Sequence, residues 1–137
     1  MASTGQLKGM AGLYLVAAEL SRRGFIASPT SRSAQGADLL VTDRDCNHAR
    51  AVQVKTNAST FGFWLMGEKN LHMKSRSLVY AFVNLRKGRT EFFVVPSDVV
   101  AAGIKVSHRK QPKSEPMDTV PYRDNWPLFD QDPDAHS

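Results

Sequence analysis

The chain has 137 residues, 42% of them hydrophobic, enough to bury a core as one domain and too apolar for general disorder. It carries 18 Lys and Arg against 13 Asp and Glu and a single cysteine, Cys46. That rules out an internal disulfide framework, and no Cys/His spacing points to a zinc site. No apolar run reaches the length of a membrane span. The first residues lack the charged-then-apolar order of a signal peptide, so the expectation is a cytoplasmic protein. The charge is uneven. Residues 1–113 hold 17 Lys/Arg and 7 Asp/Glu, a balance of +10, whereas residues 114–137 hold 1 and 6, a balance of −5. A basic body of this kind suits a polyanionic partner such as nucleic acid.

Residues 1–6 are small and polar, and the expectation is a frayed end. A helix is predicted from about Lys8 to Arg23, stopped by Gly24. Between Gly9 and Leu20 its apolar residues cover most of the circumference, which predicts a buried helix. Glu19 is the only charge in that segment. Either it is paired or metal-bound, because a buried lone carboxylate is costly, or it lies on a narrow exposed side. Phe25-Ile26-Ala27 reads as a short strand. The turn-forming residues Pro29 to Gln35 follow as a loop that delivers the chain to Gly36 and Asp38, with hydroxyls and Arg32 suited to phosphate.

Gly36-Ala37-Asp38-Leu39-Leu40-Val41 and Ala51-Val52-Gln53-Val54-Lys55-Thr56 alternate and are rich in β-branched or aliphatic residues, so both read as strands. Asp43 to His48 form a polar turn between them. A hairpin centred between Asp45 and Cys46 pairs residues whose numbers sum to 91, placing Leu39 opposite Val52, Asp38 opposite Gln53 and Ala37 opposite Val54. One face then carries Ala37, Leu39, Val41, Val52 and Val54, and the other Asp38, Leu40, Gln53 and Lys55. An acid, an amide and an amine converge on one face. A half-buried hairpin with a solvated polar face has the same pattern.

Phe61 to Met66 reads as a further strand, and Lys69, His72, Lys74 and Arg76 as a basic run on a short helix or loop. Leu78–Val83 and Glu91–Val95 are strongly β-prone and form a second hairpin around Lys87-Gly88-Arg89. Pro96 to Gly103 is a short helix with Ser97 as N-cap. Lys105 to Lys113 is basic and irregular. The expected organisation is one domain over residues 1–113 and a partly docked tail over 114–137, anchored by Trp126, Leu128 and Phe129 and acidic from Asp130 onward.

A helix with an interior Glu, then Gly-Ala-Asp on a strand, then Gln-Val-Lys on the next, resembles the PD-(D/E)XK nuclease superfamily. Restriction endonucleases, Holliday junction resolvases and one group of homing endonucleases belong to it. The resemblance covers residues from about 9 to 95. It implies an α/β fold with a restriction endonuclease-like mixed β-sheet core flanked by helices, the N-terminal helix followed by a catalytic β-hairpin. It also implies a metal-dependent phosphodiesterase site. Asp38 matches the central metal ligand, Gln53 stands where the family usually has an acid, Lys55 matches its lysine, and Glu19 matches the first-helix glutamate of many members. Ala37 replaces the usual proline. The implied partner is DNA and, since cutting two strands takes two sites, a second copy of the chain in a homodimer.

The chemistry is coherent on its own terms. Mg²⁺, or Mn²⁺ in its place, takes oxygen ligands, typically one or two carboxylates plus substrate phosphate. Asp38 and Glu19 offer carboxylates, the Gln53 amide and the Val54 carbonyl neutral oxygens. Lys55 beside a cation suits orienting or deprotonating the attacking water, or stabilising the scissile phosphate. The expected function is therefore a metal-dependent DNA endonuclease of resolvase-like or repair type. The alternative is a catalytically inactive nuclease fold that binds nucleic acid or protein, which the neutral Gln53 favours.

Overall fold

The computed structural model describes residues 3–31, 38–57, 77–86, 88–102 and 119–133. The first element, α1 (Thr4–Arg22), starts earlier than the apolar pattern predicts. Ser3 is its N-cap: Gln6 N–H donates to Ser3 Oγ at 3.1 Å, and Ser3 N–H donates to Gln6 Oε1 at 2.8 Å. This capping box satisfies two of the orphan donors of the first turn. Ser3 to Gln6 are thus ordered as cap and first turn rather than frayed. At the other end Gly24 takes φ +94°, the left-handed conformation that ends a helix at low cost for glycine.

α1 is not buried all round, as its composition suggested. Only Gly12, Val16 and Leu20 are buried, while Leu7, Met10, Tyr14 and Leu15 are exposed. The helix meets the sheet along one face only, through β1, β3 and β4. An all-round apolar pattern cannot say which face that is.

Five strands, β1 (Ile26–Pro29), β2 (Leu39–Thr42), β3 (Ala49–Asn57), β4 (Leu78–Arg86) and β5 (Arg89–Pro96), form one mixed sheet in sequence order. β1, β2 and β3 pair antiparallel, β3 and β4 parallel, β4 and β5 antiparallel. The β2–β3 register runs from Leu39↔Val52 to Thr42↔Ala49, as the sequence predicts. The second hairpin also forms, with Gly88 at φ +85° in its turn. The parallel pairing of β3 with β4 requires a crossover, which falls to the connection over residues 58–77. The expected strand Phe61–Met66, the basic runs at 69–76 and 105–113, and Arg32, Gly36 and Ala37 lie outside the described residues.

The sheet is covered on both faces. On one, Val16 and Leu20 of α1 pack with Leu39, Val41, Val52, Val79, Ala81, Val83 and Val94. On the other, Tyr80, Phe82, Phe93 and Val95 pack with Val99 and Val100 of a helical segment over residues 97–102. Ser97 is its first helical residue and is buried, so the N-cap falls one residue earlier than predicted. The C-terminal segment adds two 3₁₀ turns, Val120–Tyr122 and Trp126–Asp130. Trp126 and Phe129 are each 3% exposed within the α1-side core, where Trp126 lies edge-on to Phe92 with centroids 5.4 Å apart. Arg50, itself buried, donates to the carbonyls of Phe129 (3.0 Å) and Gln131, tying this segment to β3. Burial pulls the Arg50 guanidinium below its ordinary pKa, while Asp132 and Asp130 push it back up.

Candidate active site

Asp38 sits where β2 leaves β3. Its backbone N–H donates to Val52 O at 2.8 Å, although Val52 is already the partner of Leu39. Two residues facing one is the count of a β-bulge, and it re-aims the Asp38 side chain away from the position opposite Gln53 that an unbroken ladder would give. The carboxylate then does what a strand partner would have done: Oδ2 accepts the Val54 N–H at 2.7 Å. Beyond Val52 no described strand pairs with this edge of β3. The Val54 carbonyl points to the same open edge as its N–H, since both groups of one strand residue do so.

Gln53 and Lys55 flank Val54. Their parallel partners on β4 are Tyr80 and Phe82, so alternation turns both side chains to the sheet face opposite α1. Gln53 Oε1 is buried with no hydrogen-bond partner among the described residues. A buried acceptor left this way costs about 1–3 kcal/mol. A buried oxygen left without a partner is a candidate cation ligand.

A cleft of about 600 Å³ opens at this point, lined by Asp38 and Val54, by Pro29, Thr30 and Ser31, and by Gln6, Gly9, Met10, Leu13 and Tyr14 of α1. The stretch of α1 from Gln6 to Tyr14, not the later turn that carries Glu19, therefore faces Asp38. Glu19 lies six residues beyond Leu13, roughly 9 Å further along the helix axis, and does not line the cleft. Its oxygens accept from Arg22 at 3.2 Å and Arg23 at 3.3 Å. Asp38 and Val54 are thus brought together, Gln53 and Lys55 adjoin them on β3, and Glu19 is held elsewhere. Among the described residues no three His, Cys, Asp or Glu side chains gather as a metal cluster. The sequence reading missed the contribution of Gln6, Met10 and Tyr14. Their spacing of four marks one helix face once the Ser3 cap is seen to extend the helix back to Gln6.

A second cavity, about 200 Å³, lies at the far end of the β2–β3 hairpin, lined among others by Asp43, His48, Arg50, Asp130 and Asp132. His48 Nδ1 and Asp132 Oδ1 are 3.5 Å apart there.

The arrangement of the whole sheet has a solved counterpart in the bacterial homing endonuclease I-Ssp6803I: 94% of this chain matches 92% of that one with a TM-score of 0.58, at 19% sequence identity. The fold is similar to that of this homing endonuclease. No protein-family model matches the sequence, and no curated protein is significantly similar to it. The likeness is one of backbone, and at this identity it speaks for the fold alone. No described helix is long and apolar enough to cross a membrane.

Proposed function

We propose that the protein is a metal-dependent DNA endonuclease of the PD-(D/E)XK type, working at the fork between β2 and β3. The observation that carries this is that Asp38 is locked to the Val54 N–H while Gln53, the neighbour of Val54 on β3, holds a buried oxygen with no partner among the described residues. The fold shared with a homing endonuclease supports it. The donor set fits Mg²⁺, which is satisfied by few carboxylates when neutral oxygens and substrate phosphate complete its shell. Asp38, Gln53 Oε1 and the Val54 carbonyl would hold it. A bound Mg²⁺ supplies a Lewis acid to the phosphoryl oxygen. Lys55 orients the attacking water or stabilises the scissile phosphate. Gln6, Tyr14, Thr30 and Ser31 offer polar groups along the cleft for the substrate backbone. Glu19 is the one acid of α1. Joining this set would require it to give up Arg22 and Arg23, so the ligand charge falls on Asp38. Action on both strands calls for two such sites, hence a homodimer.

The test is a cleavage panel of duplex, nicked, branched and single-stranded DNA, and RNA, in Mg²⁺ and in Mn²⁺. The expected result is DNA cleavage that needs the metal and is lost in Asp38→Asn and Lys55→Ala. Preference for branched over nicked substrate separates a resolvase-like from a repair-type enzyme. The neutral Gln53 and the engagement of Glu19 favour a second reading, an inactive nuclease fold that binds DNA. Tight binding without cleavage of any substrate in either metal would establish that one instead.

A further inference from the structure

We propose that Arg86, Arg89 and Arg123, gathered on the buried Glu91 carboxylate, form a phosphate-binding site that grips the nucleic-acid backbone on the sheet face that carries Gln53 and Lys55. The proposal rests on the DNA-endonuclease reading above and adds to it where the duplex lies.

Glu91 is 9% exposed, and three guanidiniums converge on it: Arg123 Nη2 at 2.7 Å from Oε2, Arg86 Nε at 3.4 Å from Oε1, and Arg89 Nη2 at 3.7 Å from Oε2. Their side chains are 50%, 32% and 70% exposed in that order. One carboxylate neutralises one of the three, so the group presents an excess of two positive charges to solvent. Each guanidinium has five N–H donors in a fixed fork that matches phosphate oxygens, and Glu91 has only two oxygens to occupy them. Glu91 is less exposed than any of the three guanidiniums, so they meet an incoming phosphate first. Its effect is to hold three long side chains together before the ligand arrives. Arg123 is further fixed over the Phe93 ring, 6.0 Å from its centroid, and by a bridge between its backbone and Phe93.

The location ties this cluster to Gln53 and Lys55. Asn57 pairs with Asn84, and Asn84 with Glu91. The cluster therefore lies at the carboxyl end of the parallel strands β3 and β4, and alternation with Phe82 and Phe93 sets it on the face opposite α1, which Gln53 and Lys55 share. Three residues along β3 and two strands across the sheet separate it from Val54, roughly 14 Å by ordinary strand spacings. That is about four nucleotides along one DNA strand. Among the described residues, Asp43, Asp130 and Asp132 line the second cavity at the opposite end, near the start of β3. This placement of described charges favours a polyanion at the carboxyl end of β3 and β4 over the hairpin end.

The experiment measures duplex DNA binding by fluorescence anisotropy over a salt series, with chelator present so that nothing is cut. The variants are Arg89→Ala, the Arg86→Ala/Arg89→Ala double, and Arg44→Ala. Arg44 is exposed in the acidic-end turn, and its replacement removes the same charge as that of Arg89. Arg89, the farthest of the three from Glu91, is the arginine whose loss least disturbs the fold, and melting curves check this. The expected result is roughly three- to tenfold weaker binding for Arg89→Ala at low salt, with the slope of log K against log salt smaller by about 0.9 for each phosphate no longer neutralised. The double variant binds more weakly still, and Arg44→Ala matches the wild type. Equal effects of Arg89→Ala and Arg44→Ala, or no effect of either on a wild type that binds DNA, would overturn the grip and leave the endonuclease reading standing. A wild type that binds no duplex would overturn both.

Discussion

Asp38 has two tasks, and substitutions separate them. Its carboxylate is the proposed ligand, and it is also the acceptor that satisfies the Val54 N–H on an otherwise open strand edge. Asp38→Asn keeps an acceptor there, whereas Asp38→Ala removes it. Both variants should lose cleavage, but the alanine should melt lower, by about 1–2 kcal/mol relative to the asparagine. Equal melting would show that Val54 finds another acceptor. Gln53 is the converse case, a residue whose side chain costs stability in the metal-free protein. Gln53→Met removes the bare buried oxygen at similar volume and should raise metal-free stability by about 1–2 kcal/mol while abolishing metal-dependent cleavage. Gln53→Glu should tighten Mg²⁺ binding in calorimetry and lower stability without metal, because a carboxylate then replaces a buried neutral amide oxygen. Identical Mg²⁺ affinity in the wild type and Gln53→Glu would remove Gln53 from the ligand set.

The position of α1 decides the shape of the cleft, and one glycine sets it. A Cβ on Gly12 would lie 1.9 Å from Thr56 Oγ1, 3.0 Å from its Cβ and 3.1 Å from its Cγ2. The threonine Cβ is fixed by the strand backbone and stays at 3.0 Å in every rotamer, so rotation of the side chain does not fully clear the contact. Gly12→Ala gains up to about 1 kcal/mol of helix propensity, yet the clash should outweigh it and leave a net loss of roughly 1–3 kcal/mol. Thr56→Ala opens the space and also removes a buried hydroxyl oxygen that has no partner among the described residues. The Gly12→Ala/Thr56→Ala double variant should therefore recover most of the loss. Melting curves for the four proteins form a double-mutant cycle, and additive effects would refute the contact. At the start of the helix, Ser3→Ala breaks the capping box and should cost about 1 kcal/mol. The S-x-x-Q pattern of that box stands in the sequence, but small polar residues at a chain start resemble a frayed end just as well.

At the scale of the molecule the described C-terminal residues 119–133 join the core through Trp126 and Phe129. Phe129→Ala would leave a cavity against Trp126 and Phe25 and should destabilise by about 3–5 kcal/mol in chemical denaturation. Charge at this scale matters by position more than by total. The negative balance of residues 114–137 invites the idea that the tail shields the basic body. The structure instead sets Asp130 and Asp132 at the hairpin end, roughly 26 Å along β3 from Asn57. This exceeds the Debye length of about 8 Å at physiological ionic strength. Replacing both aspartates with asparagine raises the net charge from +5 by two, yet DNA affinity at physiological salt should stay unchanged, and a marked gain would mean that the duplex reaches the acidic end.

Local pattern was enough for several elements. Alternation and turn residues specified both hairpins and the 91-sum register from Leu39 to Thr42, because a one-residue slip would have turned the apolar set of β2 and β3 to the wrong side. Gly24 marked the end of α1, and the aromatic residues at 126–129 marked an anchor. What depended on packing between distant segments was not legible. The parallel pairing of β3 with β4 joins strands across residues 58–77, and no local signal distinguishes it from an antiparallel neighbour. An apolar pattern covering most of a helix cannot choose its buried face, so the exposure of Met10 and Tyr14 and the turning of Glu19 toward Arg22 and Arg23 emerged only with the sheet in place. The bulge at Asp38 was likewise invisible, since it arises where β2 stops and a side chain replaces a strand partner. Sequence thus specified which groups are available near the fork. Tertiary structure decided which of them meet, because α1 and the β2–β3 fork face one another only through a core assembled from segments far apart in the chain.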